Sequence, residues 1–93
     1  MSQDLFELAD IKPELVRRLK RIEGQARGIQ GMLADGRDCE EIFTQVAALK
    51  AAVEQVGVAM VACLLENSLR LSLQTGADTS EAVAQAKKML SKL

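Results

Sequence analysis

The sequence has no histidine, tryptophan or tyrosine, and only two phenylalanines, one proline and two cysteines among its 93 residues. Without histidine there is no Ser-His-Asp triad, no Cys-His dyad and no imidazole metal site. A thiol enzyme would also lack its activating base, so no enzymatic activity is expected. Two cysteines do not make a disulfide framework, and the longest apolar run, Val56 to Leu65, is about half of a membrane span. There is no charged-then-apolar leader, and a cytoplasmic protein with no membrane partner is expected. With 2% aromatic and 48% apolar residues, the core must be built from Leu, Val, Ile, Ala and Met, which favours helices over a sandwich or barrel.

Charge of either sign is nearly balanced, yet it is unevenly placed. Residues 15 to 30 carry Arg17, Arg18, Lys20, Arg21 and Arg27 against Glu23. Residues 1 to 14 hold Asp4, Glu7, Asp10 and Glu14 against Lys12, and residues 38 to 66 hold Asp38, Glu40, Glu41, Glu54 and Glu66 against Lys50. A basic patch on an otherwise acidic chain points to a local anionic partner.

Breakers are few, and what lies between them is periodic. Leu15, Leu19, Ile22, Ala26, Ile29 and Leu33 recur at alternating spacings of four and three, which predicts a helix over 12–34 with Asp10 as the nearest cap and Pro13 in its first turn. Asp38-x-x-Glu41 has the form of a capping box and opens a second helix over 39–74, with its stripe at Ile42, Val46, Leu49, Val53, Val56, Met60 and Cys63. Some 36 residues make a rod of about 54 Å, more than a first helix of about 22 residues can cover. The surplus implies a second chain, in an antiparallel helical-bundle dimer or tetramer. Asp78 and Thr79 can cap a third helix over 80–91, with Val83, Ala86 and Leu90 on one face. Residues 1–10 read as an acidic arm, and the whole of 1–93 as one all-α domain of three helices.

Arg17, Arg18, Lys20 and Arg21 avoid the apolar stripe, and Arg27 and Lys50 could extend their patch. Such a face can neutralise nucleic-acid phosphates, and without interleaved aromatics duplex DNA is a better fit than a stacked single strand. The plainer reading is a solvated surface with local pairs such as Glu14 to Arg18. Gly24, Gly28 and Gly31 cost helix stability and are read as sites of tight helix packing or of close approach by a partner. Cys39 lies in the first turn of the second helix, where the dipole favours thiolate and Asp38, Glu40 and Glu41 oppose it, and Cys63 lies on the apolar stripe. Twenty-four residues apart on one rod, they are separated by about 36 Å in a single chain, but an antiparallel dimer could bring them together.

The string Arg18-Leu-Lys-Arg-Ile-Glu-Gly-Gln-Ala-Arg-Gly28, followed by Cys39 and by Gln45-Val-Ala-Ala-Leu-Lys-Ala-Ala52, resembles the copper-sensitive operon repressor family. That family includes copper-, nickel/cobalt-, formaldehyde- and persulfide-responsive members. The resemblance implies a four-helix antiparallel dimer core, a dimer of dimers, and repression of transcription until an inducer binds. It also implies that Arg17, Arg18, Lys20, Arg21 and Arg27 contact operator DNA.

The sensing positions depart from the family's pattern. Copper-type members resemble Cys-x24-His-x3-Cys, and counting from Cys39 those places hold Leu64 and Ser68. A persulfide-type second cysteine at the Ser68 place is missing, and formaldehyde-type members have an N-terminal proline and a histidine where this chain has Ser2 and Leu64. Cys39 and Cys63 remain as the inducer-sensing candidates. If they face each other across two chains, they could bind Cu(I) linearly or join through a disulfide or polysulfide bridge. No cofactor is otherwise implied. The expectation is a DNA-binding repressor modulated at a cysteine site; the alternative is a helical oligomeric interaction or scaffold module that binds no DNA.

Overall fold

The computed structural model describes residues 11–93, so the acidic arm and the Asp10 cap lie outside the described residues. Among those described, the fold is three helices with no strand: α1 (Lys12–Ala34), α2 (Cys39–Thr75) and α3 (Ser80–Leu90). They are organised as two compact units, one formed by Pro13–Val56 and the other containing Gly57–Leu93.

Glycine terminates both long helices. Gly36 has φ +69°, and its N–H donates to the Leu33 carbonyl while Arg37 N–H donates to that of Met32. This is the Schellman pattern, in which a left-handed residue returns two otherwise unpaired carbonyls to the chain. At the end of α2, Gly76 (φ +76°) donates to the Ser72 carbonyl at 2.7 Å, the simpler left-handed cap.

The capping box expected at Asp38-x-x-Glu41 is made only in half. Glu41 N–H donates to Asp38 Oδ2 at 3.4 Å, but the Glu41 carboxylate accepts from Arg37 Nε and Nη2 at 3.2 and 2.7 Å. A bidentate guanidinium outcompetes the neutral backbone N–H that the reciprocal bond would have used. At α3, Thr79 occupies the cap position without a side-chain bond. Asp78 does the capping instead, accepting from Ser80 N–H at 3.2 Å and Ser80 Oγ at 2.5 Å.

In the unit of Pro13–Val56, which holds α1 and the first half of α2, Leu15 and Val56 are buried. Ile22, Ala26, Ile29, Ile42 and Leu49 are half-buried. Other members of the two stripes stay in solvent: Leu19, Val46 and Val53 are exposed, and Leu33 is 63% exposed. A strict four-three stripe is wider than the line along which two helices touch, so its outer residues need further partners.

The unit containing Gly57–Leu93 has the better-formed core. Leu64 is fully buried, with Val61 and Ala86 around it and Leu65 and Met89 packed against them. Of the three residues expected on one face of α3, Ala86 is buried. Val83 and Leu90 are exposed, and the buried positions are Ala82 and Ala86. Two alanines one turn apart let the α3 backbone approach closely, and this rotates the bulkier Val83 outward.

Candidate functional site

Glu14, Arg18, Arg21 and Gln25 follow the same four-three-four spacing as Leu15, Leu19, Ile22 and Ala26, displaced by one residue. One residue is about 100° of rotation on a helix, so a polar stripe runs beside the apolar one. Within the unit of Pro13–Val56 that polar stripe becomes the wall of an open pocket of about 360 Å³, lined by Glu14, Arg17, Arg18, Arg21, Ile22 and Gln25 of α1 and by Ala52 and Gln55 of α2.

The charges in this pocket are ordered by Glu14. Arg17 Nη2 donates to Glu14 Oε1 at 2.8 Å, and Arg18 Nε donates to Glu14 Oε2 at 3.1 Å. Those two hydrogen bonds, Arg17's first, hold the Glu14 carboxyl below the usual glutamate range. Arg21 makes no ion pair among the described residues. Gln25 Oε1 is buried without a hydrogen-bond partner, an acceptor that an incoming donor would satisfy; rotating the terminal amide would present its two donors instead.

Of the six basic residues singled out in the sequence, the fold gathers Arg17, Arg18 and Arg21 in this pocket. Lys20 borders a neighbouring apolar groove with Val16, Leu19, Ile22, Glu23 and Ala26. Arg27 and Lys50 are exposed and line neither. Glu14, Gln25 and Gln55 were missed as pocket residues. For the two on α1 the signal was present in their heptad spacing from Arg18 and Arg21; for Gln55 it is a matter of tertiary packing alone.

The cysteines differ sharply. Cys39 is exposed, in the first turn of α2, and borders an open pocket with Leu33, Arg37, Ile42, Phe43 and Val46. Cys63 is buried, and its Sγ accepts from Asn67 Nδ2 at 3.7 Å. Cys39 belongs to the unit of Pro13–Val56 and Cys63 to the other. Leu64 and Ser68, at the places where copper-type members have histidine and cysteine, are both buried, Leu64 at the centre of the core. Among the described residues, Gly24, Gly28 and Gly31 have no neighbour within 4 Å of where a Cβ would stand, so packing among those residues does not account for them.

An all-helical chain with an arginine-lined pocket on its first helix has a counterpart among known sequences: residues 11–92 match the profile of the metal-sensitive transcriptional repressors. The chain belongs to that family. It is a transcriptional repressor and not an enzyme. It is 34% identical over 74 residues to the copper-sensing transcriptional repressor CsoR of Bacillus subtilis (strain 168), covering 80% of this chain and 72% of that one. It is 38% identical over 61 residues to the uncharacterized protein YrkD of the same organism, covering 66% of this chain and 97% of that one. A third relative is the copper-sensing transcriptional repressor RicR of Mycobacterium tuberculosis (strain ATCC 25618 / H37Rv), 36% identical over 47 residues that cover 50% of this chain and 49% of that one. No solved structure matches.

The names of two relatives raise the question of copper, and the residues of this repressor do not fit the family's three-ligand pattern. A soft Cu(I) ion needs thiolate or imidazole donors, and Leu64 and Ser68 supply neither. No group of three His, Cys, Asp or Glu residues among the described residues could hold a metal ion.

Proposed function

We propose that this repressor binds duplex operator DNA through α1, with Arg17, Arg18 and Arg21 contacting phosphates from the pocket and Lys20, Arg27 and Lys50 adding charge at its margins. The observation that carries the reading is the meeting of three arginines on one pocket, on a helix that belongs to a repressor family. Phosphate contacts of this kind fix the position of a protein on DNA and make affinity fall steeply with salt.

The working form is a homo-oligomer, dimer or tetramer, in the cytoplasm. Leu19, Leu33, Val46 and Val53 are exposed in the chain alone, and pairing of α1 and the first half of α2 with a second copy would cover them. By length and mean hydropathy α2 could also cross a membrane; the four-three recurrence of Ile42, Val46, Leu49, Val53 and Val56 along its first half fits helix pairing better.

Control by an inducer is assigned to Cys39, with Cys63 of a second copy as its partner. Two thiols and one hydrogen disulfide molecule give a protein disulfide and two molecules of hydrogen sulfide, so the protein is oxidised and the sulfane sulfur reduced. The inducer must favour a form with lower DNA affinity, with a coupling of about 1–3 kcal/mol typical of such systems. Linear Cu(I) between the same two thiols is the competing ligand chemistry.

Titration of the repressor onto DNA from upstream of its own gene, at several salt concentrations, tests the first part. Arg18→Ala and Arg21→Ala are each expected to weaken binding and to lower the salt slope by about one. Unchanged affinity and slope in both would remove α1 as the DNA-binding element. Intact mass after exposure to a polysulfide donor tests the second part. A cross-linked dimer that needs both cysteines supports it; no adduct, combined with tight Cu(I) binding that needs both, transfers the assignment to copper.

A further inference from the structure

We propose that Glu14 is a built-in competitor of DNA phosphate: its carboxylate occupies Arg17 and Arg18 in the free repressor, and DNA binds by displacing it. This rests on the reading of α1 as the DNA-binding element and assigns a regulating residue to it.

The geometry is that of an anion already seated. One carboxylate oxygen receives Arg17 at 2.8 Å and the other receives Arg18 at 3.1 Å, which is how two guanidinium groups divide the non-bridging oxygens of a phosphodiester. Both arginines line the pocket that Arg21 shares. Arg21 has no acidic partner among the described residues and can engage a phosphate while the other two are still held.

Displacement then exchanges like for like. Each arginine trades a charge-assisted bond to carboxylate for one to phosphate, and Glu14, which is exposed, is left to water. The exchange has two consequences for the bound state. Glu14 stays close to the incoming phosphate and repels it, and the arginines release fewer counterions than free ones would. DNA affinity and its salt slope are both lower than the number of basic residues implies. The device keeps general attraction to DNA low while leaving the positioned arginines in place for a site that can displace the carboxylate.

The test uses the full chain and a fluorescently labelled duplex of random sequence, with anisotropy followed across a range of salt concentrations for Glu14→Gln, Glu23→Gln, Arg18→Ala and Arg21→Ala. Glu23 is an exposed acid of the same helix without an ion pair among the described residues, and serves as the control for net charge alone. Glu14→Gln is expected to bind about two- to fivefold more tightly than the unchanged repressor, with a salt slope steeper by about one. Glu23→Gln is expected to move affinity by less. Equal effects of the two, or no gain with Glu14→Gln, would overturn the proposal. Arg21→Ala, read beside Arg18→Ala, separates this failure from that of the underlying reading, because undiminished binding in both removes α1 as the DNA-binding element.

Glu14 also lies in the first turn of α1, where a negative charge favours the helix. If circular dichroism shows that Glu14→Gln loses helix, Glu14→Asp becomes the readout, since it keeps the charge and shortens the reach. Tighter binding than the unchanged repressor then supports the proposal, and equal or weaker binding overturns it.

Discussion

The side chain of Leu93 lies over Gly57 so closely that a methyl group on Gly57 would come within 2.9 Å of Leu93 Cδ2. Ordinarily, replacing a glycine inside a helix with alanine stabilises it by about 0.5–1 kcal/mol. At Gly57 that gain is opposed by displacement of Leu93, whereas at Gly24 and Gly28 no described residue stands in the way. Thermal unfolding should therefore show Gly24→Ala and Gly28→Ala raising stability and Gly57→Ala raising it by less, since the exposed end of Leu93 must move aside. If alanine at the open positions lowers stability in proportion to a loss of oligomer, the second copy is what approaches them.

Leu64 is the side chain on which the core of its unit converges. Leu64→Ala is expected to cost about 2–5 kcal/mol in a denaturant titration. Val83→Ala and Leu90→Ala, on the outward face of α3, should each cost less than about 1 kcal/mol. A large loss at Val83 or Leu90 would show that those residues are buried in the oligomer.

The two thiols should differ in reactivity. Cys39 is exposed and Cys63 is buried, so brief alkylation of the reduced repressor should modify Cys39 first, by about an order of magnitude or more in rate. Mass spectrometry of the digested chain reads this directly. Equal labelling would mean that the helix around Cys63 opens on the timescale of the reaction.

Two carboxylates tie stability to acid pH with the same sign. Glu14 is held below the usual range by its bonds to Arg17 and Arg18, and Asp78 by the Ser80 hydroxyl and N–H. A group whose folded pKa is depressed contributes stability above its unfolded pKa, and that contribution is lost as pH falls through the folded value. Helix content and melting temperature should thus be level near neutrality and decline only on the acid side of the ordinary carboxylate range. Glu14→Gln and Asp78→Asn should each flatten part of that decline.

Much of the architecture was legible because its signals are local. Gly36 and Gly76 end helices by adopting a backbone conformation that other residues avoid, and uninterrupted four-three periodicity marks the elements between them. Which part of α3 is buried was not legible: Val83 and Leu90 share a face with Ala86 yet are exposed, while the small Ala82 and Ala86 are buried. Clustering of Arg17, Arg18 and Arg21 could be inferred from spacing. The contribution of Gln55 could not, since it depends on how α2 turns toward α1. The half-made capping box shows the same limit, because Arg37, outside the four-residue pattern, decided what Glu41 would bind.

Arg37 is joined to both sides of the turn, through its N–H to Met32 at the end of α1 and through its guanidinium to Glu41 in the first turn of α2. The turn consequently sets the phase of one helix against the other, like the offset between two screws. Adding one residue between Asp35 and Asp38 would break the register in which Arg37 ties Met32 to Glu41, and with it the placement of Ala52 and Gln55 on the wall they share with the arginines. The length of that turn is therefore as much a part of the arginine pocket as the arginines are.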